Sequence, residues 1–221
     1  MEFSVAVQTC AGREIALGRT CAELEASDVG SAYTVFDHPP GKTVVEHCLG
    51  VLDALSKAGT EYAIRLEDDV LVNANILHNL RTWPALGEPD FGAGWLYVPR
   101  CLLLDLARTG YGRKTRSAHR ITDPRLGGSL GVLFRTGDLP AVIEQMRSHA
   151  GLVQDWSMSR AVFELGKRVY YAKPSLLEHN VDVPSSLEHS AKHHGIYHTS
   201  GGYFQRAWKR GSSKARPTFG P

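Results

Sequence analysis

The sequence predicts a single α/β domain whose central sheet is mainly parallel and flanked by helices. Short β-rich apolar segments alternate with segments whose apolar residues recur at helical spacing, a pattern typical of this fold class. Three consecutive acids directly follow one of these strands, at the position where open parallel sheets bind their ligands. With 221 residues and 43% hydrophobic content, the chain is long enough to bury one sizeable core. We therefore expect the domain to span residues 1–186.

Local patterns predict the elements in chain order. β-branched and aromatic residues predict strands, and apolar residues with a 3.6-residue period predict helices. In the first half of the chain, the predicted elements are strands at 3–7, 32–36 and 62–66, a helix at 43–57, and a helix containing Ile76, Leu77 and Leu80. In the second half, they are strands at 91–98, 129–135 and 169–172, the first two separated by a basic segment, and helices at 139–148 and 156–166. Residues 187–221, rich in histidine and basic residues, are expected to form a C-terminal loop or mobile tail.

Three features bear on the cellular compartment. The N-terminal residues lack the basic region and small-residue cleavage site of a secretory signal. No apolar run reaches the roughly 18 residues needed to span a bilayer. The four cysteines form no CxxC pair, so reduced, mostly buried thiols are expected rather than a disulfide framework or a zinc site. These features favour the reducing cytoplasm of a bacterium or of a virus-infected host cell.

The acids Glu67, Asp68 and Asp69 are the first candidate for chemistry. Three adjacent carboxylates raise each other's proton affinity unless a cation neutralises them. Mg²⁺ or Mn²⁺ favours oxygen ligands and commonly joins an acidic protein site to substrate phosphates. The acids therefore indicate a metal-diphosphate site, and the alternative is an acidic turn at the N-terminus of the following helix.

Residues 62–70, with the sequence YAIRLEDDV, resemble the strand and DxD-type motif of GT-A-fold glycosyltransferases. The EDD form is similar to that of the eukaryotic N-acetylglucosaminyltransferases. The resemblance implies a Rossmann-like GT-A domain and a nucleoside-diphosphate sugar as donor. It implies that Asp69 binds the metal, while Glu67 and Asp68 contact the nucleotide or its metal-bound waters.

A second matching segment is Gln154-Asp155-Trp156, which resembles the family's xED or DDW segment. The resemblance implies that Asp155 deprotonates the acceptor hydroxyl, since general-base catalysis requires a carboxylate near the acceptor oxygen. It places Trp156 among the acceptor-binding residues. The alternative for Asp155 is a helix N-cap, which is compatible with catalysis.

A third matching segment, KPSLLEH, ends at His179 and resembles a late strand-and-loop segment of several GT-A families. A late histidine completes the metal shell in many members, so the resemblance makes His179 a candidate metal ligand. The alternative is an ordinary loop histidine.

Five further residues match positions at which the family contacts its donor. Thr9 and Arg13 lie in the loop after the first strand, where the family holds the nucleotide, and Asp37 closes the second strand, where contacts to the base or ribose are common. Gly127 and Gly128 resemble the central loop beside the donor sugar, where glycine allows close backbone approach. An arginine near a diphosphate forms charge-assisted hydrogen bonds. Alternatively, the glycine pair is only a turn and Arg13 a surface residue.

The segment from Glu188 to His198 does not belong to the family pattern. His189, His193, His194 and His198 have the i,i+4 spacing of a transition-metal site. Gly195 interrupts the helix that would align them. A solvated loop is therefore favoured over a metal site.

The distribution of charge bears on the acceptor. Residues 100–126 carry seven Lys/Arg against two Asp/Glu, and residues 206–221 carry five against none. Basic segments of this kind suit a polyanion, and Arg113, Lys114 and Arg116 are candidate acceptor-binding residues. Enzymes of similar chemistry in bacterial viruses glycosylate hydroxylated bases in DNA. A DNA acceptor is therefore a hypothesis, beside a glycan, lipid or protein acceptor on an enzyme with a merely solvated basic tail.

These observations predict a metal-dependent, inverting hexosyl- or pentosyltransferase that uses a nucleoside-diphosphate sugar, with uridine as the expected base and Mn²⁺ or Mg²⁺ as the cofactor. Two other classes stay open. One is a metal-dependent nucleotidyltransferase or nuclease, and the other is a non-enzymatic basic nucleic-acid-binding module.

Overall fold

A computed structural model describes residues 1–98, 118–121, 129–149, 151–180, 204 and 206–211. The strands are β1 Phe3–Gln8, β2 Thr34–Phe36, β3 Tyr62–Glu67, β4 Val70–Val72, β5 Phe91–Trp95, β6 Ala118–Ile121, β7 Gly131–Arg135, β8 Arg168–Ala172 and β9 Leu177–His179. The α-helices are α1 Glu14–Glu25, α2 Val44–Ser56, α3 Ile76–Arg81, α4 Leu139–Ser148 and α5 Gln154–Glu164. Short 3-10 helices lie at Pro84–Gly87 and Thr136–Asp138.

Seven described strands form one sheet in the order β2-β1-β3-β7-β5-β8-β6. β1 pairs in parallel with β2 and β3, and β5 pairs in parallel with β8. β7 is antiparallel to its neighbours β3 and β5, and β6 is antiparallel to β8. Five of the seven strands therefore point the same way, which confirms the predicted α/β fold with a mainly parallel sheet. β4 and β9 form a separate antiparallel pair.

Helices cover both faces of the sheet. Alternate residues of a strand point to opposite faces. Val5, Val7 and Ile64 join an apolar cluster with α1 and α3, whereas Ala6 and Ala63 join a second cluster with α2, α4 and α5. Burial on both faces explains why β1 and β3 are largely apolar rather than alternating with polar residues.

Among the described residues, one helix and three strands are not predicted by the sequence patterns: α1, β6 and the paired strands β4 and β9. The buried residues of α1 are Ala16, Thr20 and Leu24, so a polar residue interrupts the apolar helical period at its centre. β4 and β9 have three residues each, too few for an alternating pattern to be recognised. β6 lies inside the basic segment 100–126. This segment is predicted only to separate the strands at 91–98 and 129–135, but it also contributes a strand to the sheet.

Part of the C-terminal segment packs on the domain. The Trp208 side chain is 7% exposed and joins the apolar cluster of α1 and α3. Its carbonyl oxygen accepts hydrogen bonds from the side-chain amides of Asn73 and Asn79, at 3.1 and 3.0 Å. Ala74 N–H donates to the Arg206 carbonyl at 2.7 Å. These contacts hold residues 206–211 against α3, within a segment predicted to be a loop or mobile tail.

The described cysteines are free thiols. Cys48 is buried, and Cys10 and Cys21 are half-buried, while Cys101 lies outside the described residues. Among the helices of the described ranges, none is both long enough and apolar enough to cross a bilayer.

Gly92 in β5 allows α5 to pack directly on the sheet. A Cβ atom at this position would lie 2.5 Å from Val162 Cγ1 and 2.7 Å from Lys167 Cβ. We expect Gly92→Ala to lower the free energy of unfolding by about 1–3 kcal/mol, the usual cost of overpacking a core. Gly50→Ala in α2 is a matched control, because no packing neighbour lies within 4 Å of its Cβ position. The control should stabilise the protein by about 0.5–1 kcal/mol, since alanine favours helix over glycine. Urea unfolding measures both, and equal stability of the two variants would contradict the packing argument.

Candidate functional site

The three consecutive acids lie at the carboxyl end of β3 and contact two separate groups of side chains. Glu67 is the last residue of β3, and Asp68 and Asp69 form the turn into β4. Glu67 contacts side chains from the residues before β7 and from α5. Asp68 and Asp69 contact the loop after β1. The acids therefore divide the site into two halves.

One half, which we call the Arg13 cluster, consists of Thr9, Arg13, Asp68, Asp69 and His179. The Arg13 guanidinium donates to Asp68 Oδ1 from Nε and Nη2, at 3.0 and 2.8 Å, and to Asp69 Oδ2 from Nη2 at 2.5 Å. Thr9 Oγ1 donates to Asp68 Oδ2 at 2.6 Å. Arg13, Asp68 and Asp69 are only 8%, 5% and 6% exposed. The structure thus brings the first loop and the acids into one buried, charged network.

The charges of this cluster stabilise each other. Burial alone would raise the pKa of Asp69, but the hydrogen bond from His179 and the positive charge of Arg13 outweigh it and hold this pKa below its ordinary value. Burial alone would lower the pKa of Arg13, and the bonds and charges of Asp68 and Asp69 raise it instead. Asp69 is therefore ionised and Arg13 is charged at neutral pH.

The pairing of β4 with β9 places His179 beside Asp69. Val70 is opposite His179 in this pair, and Asn180 N–H donates to the Asp69 carbonyl at 2.7 Å. The imidazole is 5% exposed, and its Nε2 lies 3.3 Å from Asp69 Oδ2. Strand pairing thus brings together the two predicted metal ligands, which are far apart in the sequence.

The donor atoms of Asp69 and His179 fit a divalent cation that the substrate helps to hold. Asp69 Oδ1 is buried and accepts no hydrogen bond within the described residues. Mg²⁺ and related cations commonly bind one or two carboxylates, while substrate phosphates and water complete the shell. Within the described ranges, no group of three or more His, Cys, Asp or Glu side chains could hold a metal ion. The site therefore fits a shared cation rather than an all-protein metal cage.

The other half, which we call the Ser129 network, consists of Arg65, Glu67, Ser129, Gln154 and Asp155. Arg65 Nη1 donates to Glu67 Oε1 at 3.1 Å and to the Ser129 carbonyl at 2.7 Å. Gln154 Nε2 donates to Ser129 Oγ at 3.1 Å and to Glu67 Oε1 at 3.3 Å. The Ser129 hydroxyl donates to Asp155 Oδ1 in a short hydrogen bond. One hydroxyl group therefore connects Asp155 to the acid at the end of β3.

Glu67 differs electrostatically from Asp69. Burial raises the pKa of Glu67, Arg65 opposes this effect, and the negative charges of Asp69 and Asp155 add to it, so that the pKa lies above its ordinary value. Two acids of one motif thus have pKa values that are shifted in opposite directions. The physical reason is that burial and the charges of Asp69 and Asp155 outweigh the opposing charge and hydrogen bond of Arg65 at Glu67, whereas His179 and Arg13 together outweigh burial at Asp69.

Asp155 lies in the first turn of α5. The helix begins at Gln154 and its N-cap is Val153, without a side-chain cap hydrogen bond, so the alternative that Asp155 is the N-cap is wrong. Asp155 is half-buried, and the neighbouring Trp156 is 46% exposed. A carboxylate in the first turn is stabilised by the helix dipole. The arrangement leaves a partly accessible carboxylate next to an exposed aromatic surface.

The remaining predicted site residues are not part of these two networks. Asp37 follows β2 and is exposed. The predicted donor-sugar contacts, the predicted acceptor contacts and the histidine-rich segment lie outside the described residues: Gly127, Gly128, Arg113, Lys114, Arg116, His189, His193, His194 and His198.

The structure adds three residues that the sequence analysis does not single out: Arg65, Ser129 and Thr20. Arg65 is a charged residue within an apolar strand, which is a signal for a buried partner. Ser129 is the first residue of a predicted strand and directly follows Gly127 and Gly128 in the segment that resembles the family's central loop, but the resemblance assigns no contact to its side chain. Thr20 Oγ1 donates to the Asp68 carbonyl at 2.8 Å and accepts from Val70 N–H at 3.1 Å. Since α1 itself is not predicted, this contact could not be anticipated.

Solved structures with a similar fold include glycosyltransferases and a nucleotidyltransferase. Galactosyltransferase LgtC, in complex with donor and acceptor sugar analogs, has 13% identity over 77% of this chain and 73% of its own, with a TM-score of 0.46. The A197 protein from STIV has 13% identity over 86% of this chain and 100% of its own, with a TM-score of 0.48. A protein assigned as a glucose-1-phosphate thymidylyltransferase from Bacillus anthracis has 8% identity over 77% of this chain and 86% of its own, with a TM-score of 0.47. No family model and no curated protein matches the chain. At these identities the similarity concerns the fold alone.

His47 is a buried histidine of α2. It is 4% exposed, and its ring lies edge-on to that of His38, with 4.9 Å between centroids. Neither of its ring nitrogens has a hydrogen-bond partner within the described residues. Burial lowers the pKa of His47 to about 4, and the charges of His38 and Arg65 act in the same direction.

We expect His47 to make folding stability depend on pH. An exposed histidine has a pKa of roughly 6.5, so the unfolded chain takes up a proton first as the pH falls. The stabilisation from neutral His47 is fully present above about pH 6.5 and is lost as the pH falls towards 4, by up to about 3 kcal/mol. Urea unfolding at pH 8 and pH 5 should show a smaller difference for His47→Leu than for the wild type. Equal pH dependence of the two proteins would contradict this assignment.

Proposed function

We propose that the chain is a metal-dependent, inverting glycosyltransferase that moves a sugar from a uridine-diphosphate donor to an acceptor hydroxyl. The observation that carries the proposal is the position of Asp155 relative to Asp69 and His179. Glu67 and Asp69 are two residues apart, and Asp155 is joined to Glu67 through the Ser129 hydroxyl. Two separate groups of side chains thus lie at the end of β3, which supports assigning Asp155 to the acceptor and the Arg13 cluster to the diphosphate.

The Arg13 cluster is proposed to hold the donor. Asp69 and His179 are the residues that would bind a divalent cation, which when bound neutralises charge on the diphosphate leaving group. Thr9 and Arg13 are placed to contact the diphosphate from the loop after β1, because a guanidinium forms paired hydrogen bonds with phosphate oxygens. Glu67, Asp68 and, by resemblance, Asp37, Gly127 and Gly128 complete the donor contacts.

Asp155 is proposed to act on the acceptor. Its carboxylate takes the proton of the acceptor hydroxyl while the oxygen attacks the anomeric carbon. The new carbon–oxygen bond forms as the bond to the diphosphate oxygen breaks, and nucleoside diphosphate leaves with the bonding electrons. A single displacement of this kind inverts the anomeric configuration. Trp156 offers an exposed aromatic surface for an acceptor ring beside Asp155.

Incubation of the purified protein with a panel of sugar nucleotides tests the proposal. Manganese-dependent release of nucleoside diphosphate, together with sugar transfer of inverted configuration, is the expected result. Cleavage at the α-phosphate would instead identify a nucleotidyltransferase. Calorimetry without any manganese-dependent nucleotide binding would favour a non-enzymatic nucleic-acid-binding module.

The proposed acceptor is a polyanion, with a hydroxylated base in DNA as the specific candidate. Support comes from the charge of residues 100–126 and 206–221, each with an excess of five positive charges. Exposed Arg206 and Lys209 flank the buried Trp208, so part of the second basic segment is anchored on the domain. A base inside a duplex has to be exposed before transfer, by flipping or by strand separation.

If DNA is the acceptor, binding should weaken steeply with salt because bound phosphates release counterions. The combined variant Arg113→Gln, Lys114→Gln, Arg116→Gln should lower the salt slope by about 0.9 for each phosphate that the protein no longer neutralises. Lys57→Gln is the control, since Lys57 is an exposed residue directly after α2 that forms an ion pair with Asp53. Fluorescence anisotropy with duplex DNA containing hydroxymethylated bases measures the slopes. Transfer to a neutral oligosaccharide that is insensitive to salt, with none to this DNA, would refute the DNA acceptor.

A further inference from the structure

Arg13 donates to one carboxylate oxygen of each of the acids Asp68 and Asp69, beside the unbonded Asp69 Oδ1 that a metal could use. Its Nη2 lies 2.8 Å from Asp68 Oδ1 and 2.5 Å from Asp69 Oδ2. The side chains of Arg13 and both acids are less than a tenth exposed, at 9%, 7% and 8%. A guanidinium in this position already supplies positive charge to both carboxylates. A divalent cation at Asp69 therefore has to compete with Arg13.

His179 is constrained by the same arrangement. Its Nε2 is 3.3 Å from Asp69 Oδ2, the oxygen that also accepts from Arg13. An ionised carboxylate can only accept hydrogen bonds, so in this contact the imidazole nitrogen is the donor. A histidine that binds a metal must offer a lone pair instead. A metal at Asp69 Oδ2 or at His179 Nε2 thus requires these contacts to rearrange. A metal at Asp69 Oδ1, which accepts no hydrogen bond within the described residues, would still lie beside the positive charge of Arg13.

Hydrogen bonds fix the backbone at Arg13, so only its side chain is free to change position. Arg13 N–H donates to the Cys10 carbonyl at 3.3 Å, and the Arg13 carbonyl accepts from Leu17 N–H at 2.9 Å, as the first turn of α1 requires. The position of the Cα atom is therefore set by the helix. The guanidinium, at the end of a long flexible side chain, can leave the acids without a change in fold if an anion offers it an equivalent partner.

We propose that Arg13 is an internal counter-cation that suppresses metal binding until a diphosphate draws its guanidinium away from Asp68 and Asp69. Metal and diphosphate then bind cooperatively, because each removes an obstacle to the other. The inference rests on the proposed function for the identity of the anion, but its central claim concerns metal affinity and needs no sugar transfer.

The test compares manganese affinity in three variants, by titration of the free Mn²⁺ electron-paramagnetic-resonance signal. Arg13→Gln removes the charge, and Arg13→Lys keeps the charge but loses the planar fork that reaches both acids. Arg19→Gln is the matched control, since Arg19 is an exposed residue of the same helix. Each protein is titrated without nucleotide and with uridine diphosphate, and thermal melts with and without Mn²⁺ follow the same binding through stability.

Without nucleotide, Arg13→Gln should bind Mn²⁺ at least about tenfold more tightly than the wild type, a change of about 1.4 kcal/mol. Arg13→Lys should lie between the two, and Arg19→Gln should equal the wild type. Uridine diphosphate should raise the manganese affinity of the wild type by a larger factor than that of Arg13→Gln.

Unchanged, weaker or undetectable Mn²⁺ binding by Arg13→Gln overturns the inference and indicates that Arg13 itself is the permanent cation of the site. The outcome is separate from that of the proposed function. If Arg13→Gln binds Mn²⁺ more tightly but the wild type transfers no sugar, the inference stands and the proposed function is wrong. If the wild type transfers sugar but Arg13→Gln has unchanged Mn²⁺ affinity, the proposed function stands and the inference is wrong.

Discussion

Replacement of Asp155 by asparagine should lower the rate of sugar transfer by about 10²–10⁴-fold, the usual contribution of a general base. The amide has almost the same shape as the carboxylate, and its oxygen still accepts the hydrogen bond from Ser129. It cannot take up the proton of the acceptor hydroxyl. The dissociation constants of nucleotide and metal should therefore stay at their wild-type values. Initial-rate assays with saturating donor and acceptor, together with calorimetry, separate these quantities.

A matched control for Asp155 lies on the same helix. Glu164→Gln removes a carboxylate from the last turn of α5, where it forms ion pairs with His149 and Arg160 on the surface. Surface ion pairs contribute little, so transfer by this variant should equal that of the wild type. Turnover of Asp155→Asn close to normal would remove Asp155 as the base, and the site would need another proton acceptor.

Replacement of Asp69 by asparagine should abolish most metal-dependent donor binding. We expect the affinity for uridine diphosphate in the presence of Mn²⁺ to fall by about a hundredfold or more, because a metal bridge to phosphate contributes several kcal/mol. Affinity in the absence of metal should change far less. The low pKa of Asp69 means that the wild-type residue is anionic across the neutral range, and this charge is what the variant removes.

Asp53→Asn is the control for this second prediction. Asp53 is a half-exposed acid of α2 that pairs with Lys57, so its loss changes the net charge of the protein equally and leaves the site intact. Far-ultraviolet circular dichroism verifies that both variants are folded. Metal-dependent donor binding that survives in Asp69→Asn would contradict a role of the Asp69 charge in holding the metal.

The local patterns of the sequence predict the strongly apolar elements well, because the spacing of apolar residues in such an element shows directly which of its side chains are buried. The helix predicted at 139–148 has the bounds of α4, and the strand predicted at 62–66 is one residue shorter than β3. The same patterns miss α1, in which Thr20 occupies the centre of the buried stripe. Its hydroxyl forms hydrogen bonds with the Asp68 carbonyl and the Val70 N–H, which offset the cost of burying a polar group. The hydrophobicity of the neighbouring residues does not reveal these long-range bonds.

The sequence by itself determined the fold class and the acids of the site, because strand periodicity and three adjacent carboxylates are properties of neighbouring residues. Only the tertiary structure decided which side chains those acids meet. Parallel pairing of β1 with β3 brings Arg13 to Asp68 and Asp69, β4–β9 pairing brings His179 to Asp69, and packing of α5 brings Asp155 to Ser129. The physical reason is that a carboxylate's partner is selected by geometry over distances of a few ångströms, between residues that the chain separates by dozens of positions. The opposite pKa shifts of Glu67 and Asp69 follow from their burial and their charged neighbours in the fold, not from their closeness in the sequence.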